Sequence, residues 1–233
     1  MAGIEPKQRE IAIVLVGRFN PAIVQPGWLA KYGVVGESEA KAAKVQFINP
    51  DLTILRFDLF EVIVQSENFT IKTHDAHPEI IRDFVLKTFG EFLSHTPIRM
   101  LGINYQVVLE CPSVEARDRF GRRLAPHEPW GKWGEMLEGD SNPESTEHGG
   151  LVSITMKQNK RTDGLKGYVN TRLDGAPGSK NSVVVMVNDH FDVTEGGQDA
   201  SAAISVIERR WEDSLKFSEF VISEVSQQIL AGS

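Results

Sequence analysis

Cysteine is nearly absent from the sequence, which has one, Cys111, among 233 residues. No disulfide can therefore form within the chain, and cysteine usage gives no sign of an oxidising compartment. Long apolar runs are absent too: the longest, residues 11–16, is far shorter than the roughly 20 residues that a membrane-spanning helix needs. The first residues lack the basic and apolar segments of a secretory signal. We therefore expect a cytoplasmic protein that does not enter a membrane.

Positive charge and the common enzyme motifs are also scarce. The chain has 25 lysines and arginines against 32 aspartates and glutamates, a formal net charge of −7. The field of the whole protein therefore does not favour nucleic-acid phosphates or anionic lipids. The phosphate-binding loops Gly-x-x-x-x-Gly-Lys-Ser/Thr and Gly-x-Gly-x-x-Gly are missing, and so is the Gly-x-Ser-x-Gly turn of a hydrolase. We predict no cofactor, and an enzyme is not favoured.

One series of elements occurs twice in the chain. Residues 183–187 read as a buried strand, followed by a polar break at 188–190, a further strand segment and a helix from about 198 to 229. Residues 60–71 read as a similar strand that bends at 65–68, and a helix follows from Pro78. Apolar residues recur at three- and four-residue spacing in both helices, as on the buried face of an amphipathic helix.

The other predicted elements fit the same series. Further strands are expected at residues 11–16, 44–48, 52–57, 98–110, 151–158 and 165–173, and short helices after Pro26 and at 113–124. The order is therefore β-α-β-β-β-α, used twice, over residues 1–96 and 97–233. We predict a single α+β domain of two pseudo-repeats. Mainly antiparallel strands would form one curved sheet with helices packed on one face, and an irregular loop would occupy 126–150.

Two tryptophans lie in that irregular loop. Trp130 and Trp133 flank Lys132 among glycine and proline residues, outside any helical or strand periodicity. Tryptophan is favoured at binding hot spots, and long loops in compact domains are often functional. We therefore predict that Trp130, Lys132 and Trp133 contact a partner or ligand. The alternative is that both rings fill one end of the sheet.

The most basic stretch of the chain is residues 157–166, which carries four cationic side chains: Lys157, Lys160, Arg161 and Lys166. At the tip of a hairpin these side chains would project into solvent and suit phosphate or an acidic partner. We name Lys160 and Arg161 as contact residues. Nucleic acid is a possible partner but is not favoured, because no aromatic residues are interleaved with the cations.

Histidine and aspartate offer two further candidates. His74 and His77 are spaced like metal ligands, but no second pair accompanies them, and capping of the following helix is the favoured role of this segment. Asp189 precedes His190, and a carboxylate beside a histidine can orient a general base. These residues are also ordinary turn formers. We therefore assign no catalytic residue and no metal.

The leading hypothesis is a non-enzymatic binding or assembly protein, a subunit of a homomeric or multi-protein cytoplasmic complex of bacterial type. Its partner would be another protein or further copies of the chain. A small-ligand sensor with a cleft between the two repeats is the first alternative. A hydrolase-like enzyme using histidine and aspartate is the second.

Overall fold

A computed structural model describes residues 3–137, 149–196 and 198–231. Among these residues, nine strands form one open sheet in which every neighbouring pair is antiparallel, in the order β2-β3-β4-β5-β1-β6-β9-β8-β7. The strands are β1 Gln8–Gly17, β2 Lys44–Ile48, β3 Leu52–Arg56, β4 Phe60–Gln65, β5 Asn68–Thr73, β6 Ile98–Glu110, β7 Ser153–Gln158, β8 Gly167–Gly175 and β9 Ser182–Asp192. The predicted α+β class and the antiparallel sheet are confirmed.

Six α-helices accompany the sheet in the described residues. They are α1 Pro26–Lys31, α2 Glu37–Ala42, α3 Glu79–Val85, α4 Val114–Leu124, α5 Gly131–Gly134 and α6 Ser201–Leu230. A π-helical segment, Leu86–Phe92, continues α3. Ser113 caps α4, since its Oγ accepts a hydrogen bond from the backbone N–H of Ala116 at 3.2 Å. None of these helices combines the length and apolar character that crossing a bilayer requires.

The structure corrects two predicted strands. Residues 60–71 were expected as one bent strand, but the chain reverses at Ser66 and Glu67, and β4 and β5 pair from Phe60 with Thr73 to Val64 with Phe69. The first half therefore has five strands instead of four. The expected break at 188–190 is wrong as well, because β9 runs straight through it and pairs with β6 over its whole length.

The buried side chains of the sheet lie on the face that the helices contact. Alternate residues of each central strand are buried, including Ile13 in β1, Ile71 in β5, Ile103 in β6 and Val185 in β9. Helix α6 packs on β6 and β9, and α3 packs on β1 and β5. The intervening residues of these strands, on the opposite face, are mostly half-buried or exposed.

Candidate functional site

The two predicted tryptophans lie on a tight corner that follows α4. A single 3-10 turn, Glu128–Trp130, leads directly into α5. Gly131 has a φ of 57°, which favours glycine, and a Cβ on Gly134 would collide with the carbonyl oxygen of His127. These glycines let the chain fold back over a few residues. As a result, the rings of Trp130 and Trp133 meet edge to face, with centroids 5.3 Å apart.

Both rings face solvent. Trp130 and Trp133 are each 55% exposed, so they do not fill an end of the sheet, the alternative considered from the sequence. Lys132 lies between them in the chain and is also exposed. Met136 follows in the next turn and is 77% exposed. We call Trp130, Lys132, Trp133 and Met136 the Trp corner.

A cleft of about 240 Å³ lies beside the Trp corner. Its walls are α4 and the turn between β8 and β9, and its apolar lining includes Phe120, Leu124 and Leu173. His127 and Leu137, which lie on either side of the Trp corner in the chain, also contribute. This cleft lies within the second half of the chain, whereas the sensor hypothesis expected a cleft between the two halves.

Of the two predicted basic contact residues, one has an exposed side chain and the other a buried one. Lys160 is exposed, as expected. Arg161 is not: its side chain is 6% exposed and forms ion pairs with Asp163 and Asp189. The expectation that all four cations project into solvent is therefore wrong for Arg161.

Arg161 belongs to a buried polar network under the loop between β7 and β8. Its Nε donates to Asp163 at 3.0 Å, and the ring of Phe191 lies 4.1 Å from its guanidinium carbon. The second carboxylate oxygen of Asp189 accepts a hydrogen bond from Ser214 of α6 at 2.6 Å. The hydrogen bond from Arg161 lowers the pKa of Asp163 below its usual value. The network joins the loop, β9 and α6, so it serves packing instead of ligand contact.

Asp189 and His190 do not form a catalytic pair. Neighbouring residues of a strand point to opposite faces of the sheet, and Asp189 points to the helices. His190 stacks on Tyr168 instead, with ring centroids 4.4 Å apart, and burial lowers its pKa. His74 follows β5, three strands from β9, which corresponds to about 14 Å at the usual strand spacing of about 4.8 Å. These groups therefore share no site.

The side chain of His74 has local partners, and the backbone of His77 belongs to the turn before α3. His74 contacts the backbone oxygen of Arg9 at 2.8 Å and the carboxylate of Glu10 at 3.2 Å. The backbone N–H of His77 donates to Asp75 at 2.8 Å, which shapes the turn before α3. Across the described ranges, no group of three or more His, Cys, Asp or Glu side chains is placed to hold a metal ion.

The sequence interpretation missed a row of amides on the sheet face opposite the helices. Asn104, Asn188 and Asn170 are direct neighbours across β6, β9 and β8. The Oδ1 atoms of Asn170 and Asn188 are buried and have no hydrogen-bond partner among the described residues. Asparagine is uncommon within strands, so Asn104 and Asn170 inside predicted strands were the available signal, whereas Asn188 was assigned to the expected break.

The interpretation also missed the outer strand β7 as a surface of its own. Its signal was the alternation of apolar Val152, Ile154 and Met156 with polar residues. The described residues thus offer three candidate contact surfaces: the Trp corner with its cleft, the amide row and the outer strand. A comparison of the chain with protein-family models and with curated proteins finds no match.

Proposed function

We propose that the protein is a non-enzymatic binding and assembly protein that docks another protein on the Trp corner. The observation that carries this proposal is the exposure of two adjacent tryptophan rings, each 55% accessible, beside the more exposed Met136. Single exposed apolar side chains are ordinary, but a cluster of them marks an interaction surface. Tryptophan is enriched among the residues that dominate binding energy.

The Trp corner has the shape and chemistry of a small hot spot. Burial of the exposed half of one ring in an interface would stabilise the complex by roughly 2–3 kcal/mol. This figure takes about 150–250 Å² per aromatic side chain and about 25 cal/mol per Å². Pro129 and the hydrogen bond from the backbone N–H of Trp130 to the carbonyl oxygen of His127, at 2.9 Å, order the turn, which reduces the entropy that binding must overcome. Lys132 places a positive charge at the rim, which favours a partner with acidic residues around an apolar centre.

We also infer that the two halves arose by duplication and form one curved sheet around the β1–β6 pair. The strand order supports this inference. Outward from β1 the strands are β5, β4 and β3, and outward from β6 they are β9, β8 and β7, in each case the reverse of chain order. In this account β2 is an addition to the first half, and the Trp corner is an addition to the second.

The test is affinity purification of the tagged protein from its native source with quantitative mass spectrometry. We expect one protein to be enriched with the wild-type chain. Recovery of that protein with the double variant Trp130→Ala and Trp133→Ala should fall about thirtyfold or more, since a hot-spot residue contributes about 2 kcal/mol or more to binding. Phe47→Ala, which removes an exposed ring from β2, is the matched control and should retain the partner. Equal recovery with the double variant would contradict the proposal.

A small-ligand sensor is the second candidate, and the cleft beside α4 is the observation that favours it. Its volume of about 240 Å³ is enough for a small metabolite and below that of drug-sized sites, at about 300–1,000 Å³. Thermal stabilisation by members of a metabolite panel would support this function. Gly121→Leu would fill the cleft from α4 and should abolish that stabilisation.

A further inference from the structure

Strand β7 has an unused hydrogen-bonding edge in the part of the chain that the structure describes. β7 is the last strand of the sheet and pairs there with β8 alone. Six pairs follow one another without a shift, from Ser153 with Asp174 to Gln158 with Val169. The other edge of a regular outer strand presents a row of backbone N–H and C=O groups that can pair with another chain.

The side chains of β7 alternate between two surfaces. Ile154 and Met156 pair with Leu173 and Thr171 and lie on the face that the helices contact, and Val152 precedes them in the same phase. Val152 and Met156 are 70% and 66% exposed, respectively. Apolar side chains are therefore exposed along β7. They lie on the face of the sheet that helices cover over the central strands.

Helix α6 supplies a second wall to this border. Phe217 and Val221 line a groove of about 260 Å³ together with Met156 of β7 and Val169 and Thr171 of β8. A groove between an outer strand and a helix is the arrangement in which extended peptides bind by adding a strand. Main-chain hydrogen bonds then supply affinity, and alternate side chains enter the groove.

The charges along the strand indicate which segment would fit. Residues 149–162 contain three basic residues and no acidic one. Arg161 is used within the fold. The charges near the end of the strand are those of exposed Lys160 and of Lys157, whose Nζ lies 3.9 Å from the centre of the Tyr168 ring. An acidic partner segment would complement these two positive charges.

We propose that β7 and α6 bind an extended segment of a partner protein, which pairs with β7 as an additional strand and alternates apolar with acidic side chains. The inference goes beyond the Trp corner, since a protein can dock on exposed rings without pairing with a strand. The two surfaces use different residues and can be removed separately.

The probe is a labelled synthetic peptide that alternates leucine with glutamate, titrated into the full chain by fluorescence anisotropy. A peptide of the same composition without the alternation is the control. We expect the alternating peptide to bind more tightly. Met156→Asp should weaken its binding by about tenfold or more, because it places a negative charge in the apolar groove that the leucines of the peptide would enter. Phe47→Asp, at the opposite edge, should leave binding unchanged. Val152→Asp is a second variant in case Met156→Asp disturbs folding, which the melting temperature reports.

Amide hydrogen exchange by NMR provides the second readout, because strand addition predicts protection of alternate amides in Ser153–Gln158 on peptide binding. The inference is overturned if the wild-type chain does not bind the peptide, if no amide of β7 gains protection, or if Met156→Asp binds as well as wild type. Binding lost only with Trp130→Ala and Trp133→Ala would assign the peptide to the Trp corner and would also overturn it. Cross-links from β7 to β7 in the absence of peptide would indicate a second copy as the occupant.

Discussion

The two outer strands of the sheet are both exposed, but they differ in geometry. All five residues of β2 are exposed, and Phe47 is 53% accessible. Its register against β3 shifts between Val45 and Phe47, so β2 carries a bulge at Gln46. Strand β7 has no such shift across its described pairs, and α6 lies beside it. One edge is irregular and the other is regular.

Exposed apolar side chains alone therefore do not make an outer strand available for pairing with another strand. A bulge interrupts the hydrogen-bond ladder and twists the strand, and proteins use bulges to prevent pairing between edges. Strand β2 is the more apolar of the two, with Val45, Phe47 and Ile48 among its residues, and it is the one that carries the bulge. The more polar β7 keeps a regular ladder. We conclude that β7 is the edge suited to a partner.

The largest effect is expected from breaking the network that holds the β7 side of the sheet. Arg161→Ala leaves Asp189 buried without its cation, a change that typically costs about 3–5 kcal/mol. The free energy of unfolding, measured by urea denaturation, should fall accordingly. Lys160→Ala is the matched control, and because its side chain is exposed the change should stay within about 0.5 kcal/mol.

The same variant tests whether the two edges are independent. Hydrogen exchange should become faster in β7 and β8 of Arg161→Ala, since the loop between them loses its ion pair with Asp189 of β9 and keeps the one from Asp163 to Arg210 of α6. Exchange in β2 and β3 should not change. Equal acceleration at both edges would mean that the edges open together, contrary to the comparison drawn above.

The next effect comes from removing the bulge at the other edge. Deletion of Gln46 leaves the four observed pairs of β2 with β3 in one continuous register. The strand would then be a regular apolar edge and should associate with further copies. We expect self-association at concentrations about tenfold or more below those of the wild-type chain, measured by light scattering after size exclusion. Unchanged mass at all concentrations would show that the bulge does not protect this edge.

The smallest effect concerns the pH dependence of stability on the β7 side. Burial lowers the pKa of His190, so the folded state binds its proton less readily than the unfolded state does. Stability should therefore fall as the pH drops below about 6.5 and level off below the pKa of the folded state. His190→Gln should remove this contribution in thermal melts between about pH 5 and 7.5. Parallel curves for the two proteins would contradict it.

The sequence predicted the elements whose causes are local. Apolar runs identified β1 and β6, and the three- and four-residue spacing identified the main part of α6. The reversal at Ser66 and Glu67 was missed because neither glycine nor proline marks it.

The misread segment at 188–190 has a cause that lies far away in the chain. Asn, Asp and His resemble a turn, yet Asp189 is stable within β9 because Arg161 and Ser214 satisfy its carboxylate. Such partners cannot be identified from local sequence. The lack of periodicity around Trp130 and Trp133 marked them as candidates but left open whether the rings are exposed or fill an end of the sheet, which the structure decides. The groove at β7 depends on the final packing of α6 and has no local signal.

The most direct test of the central claim is native mass spectrometry on the protein purified gently from its native source. The account predicts a complex with a mass above that of this chain alone, containing a second protein, which dissociates when Trp130 and Trp133 are replaced by alanine. A monomer that carries only a small adduct would contradict the account and favour the sensor. The mass of that adduct would then identify the class of ligand.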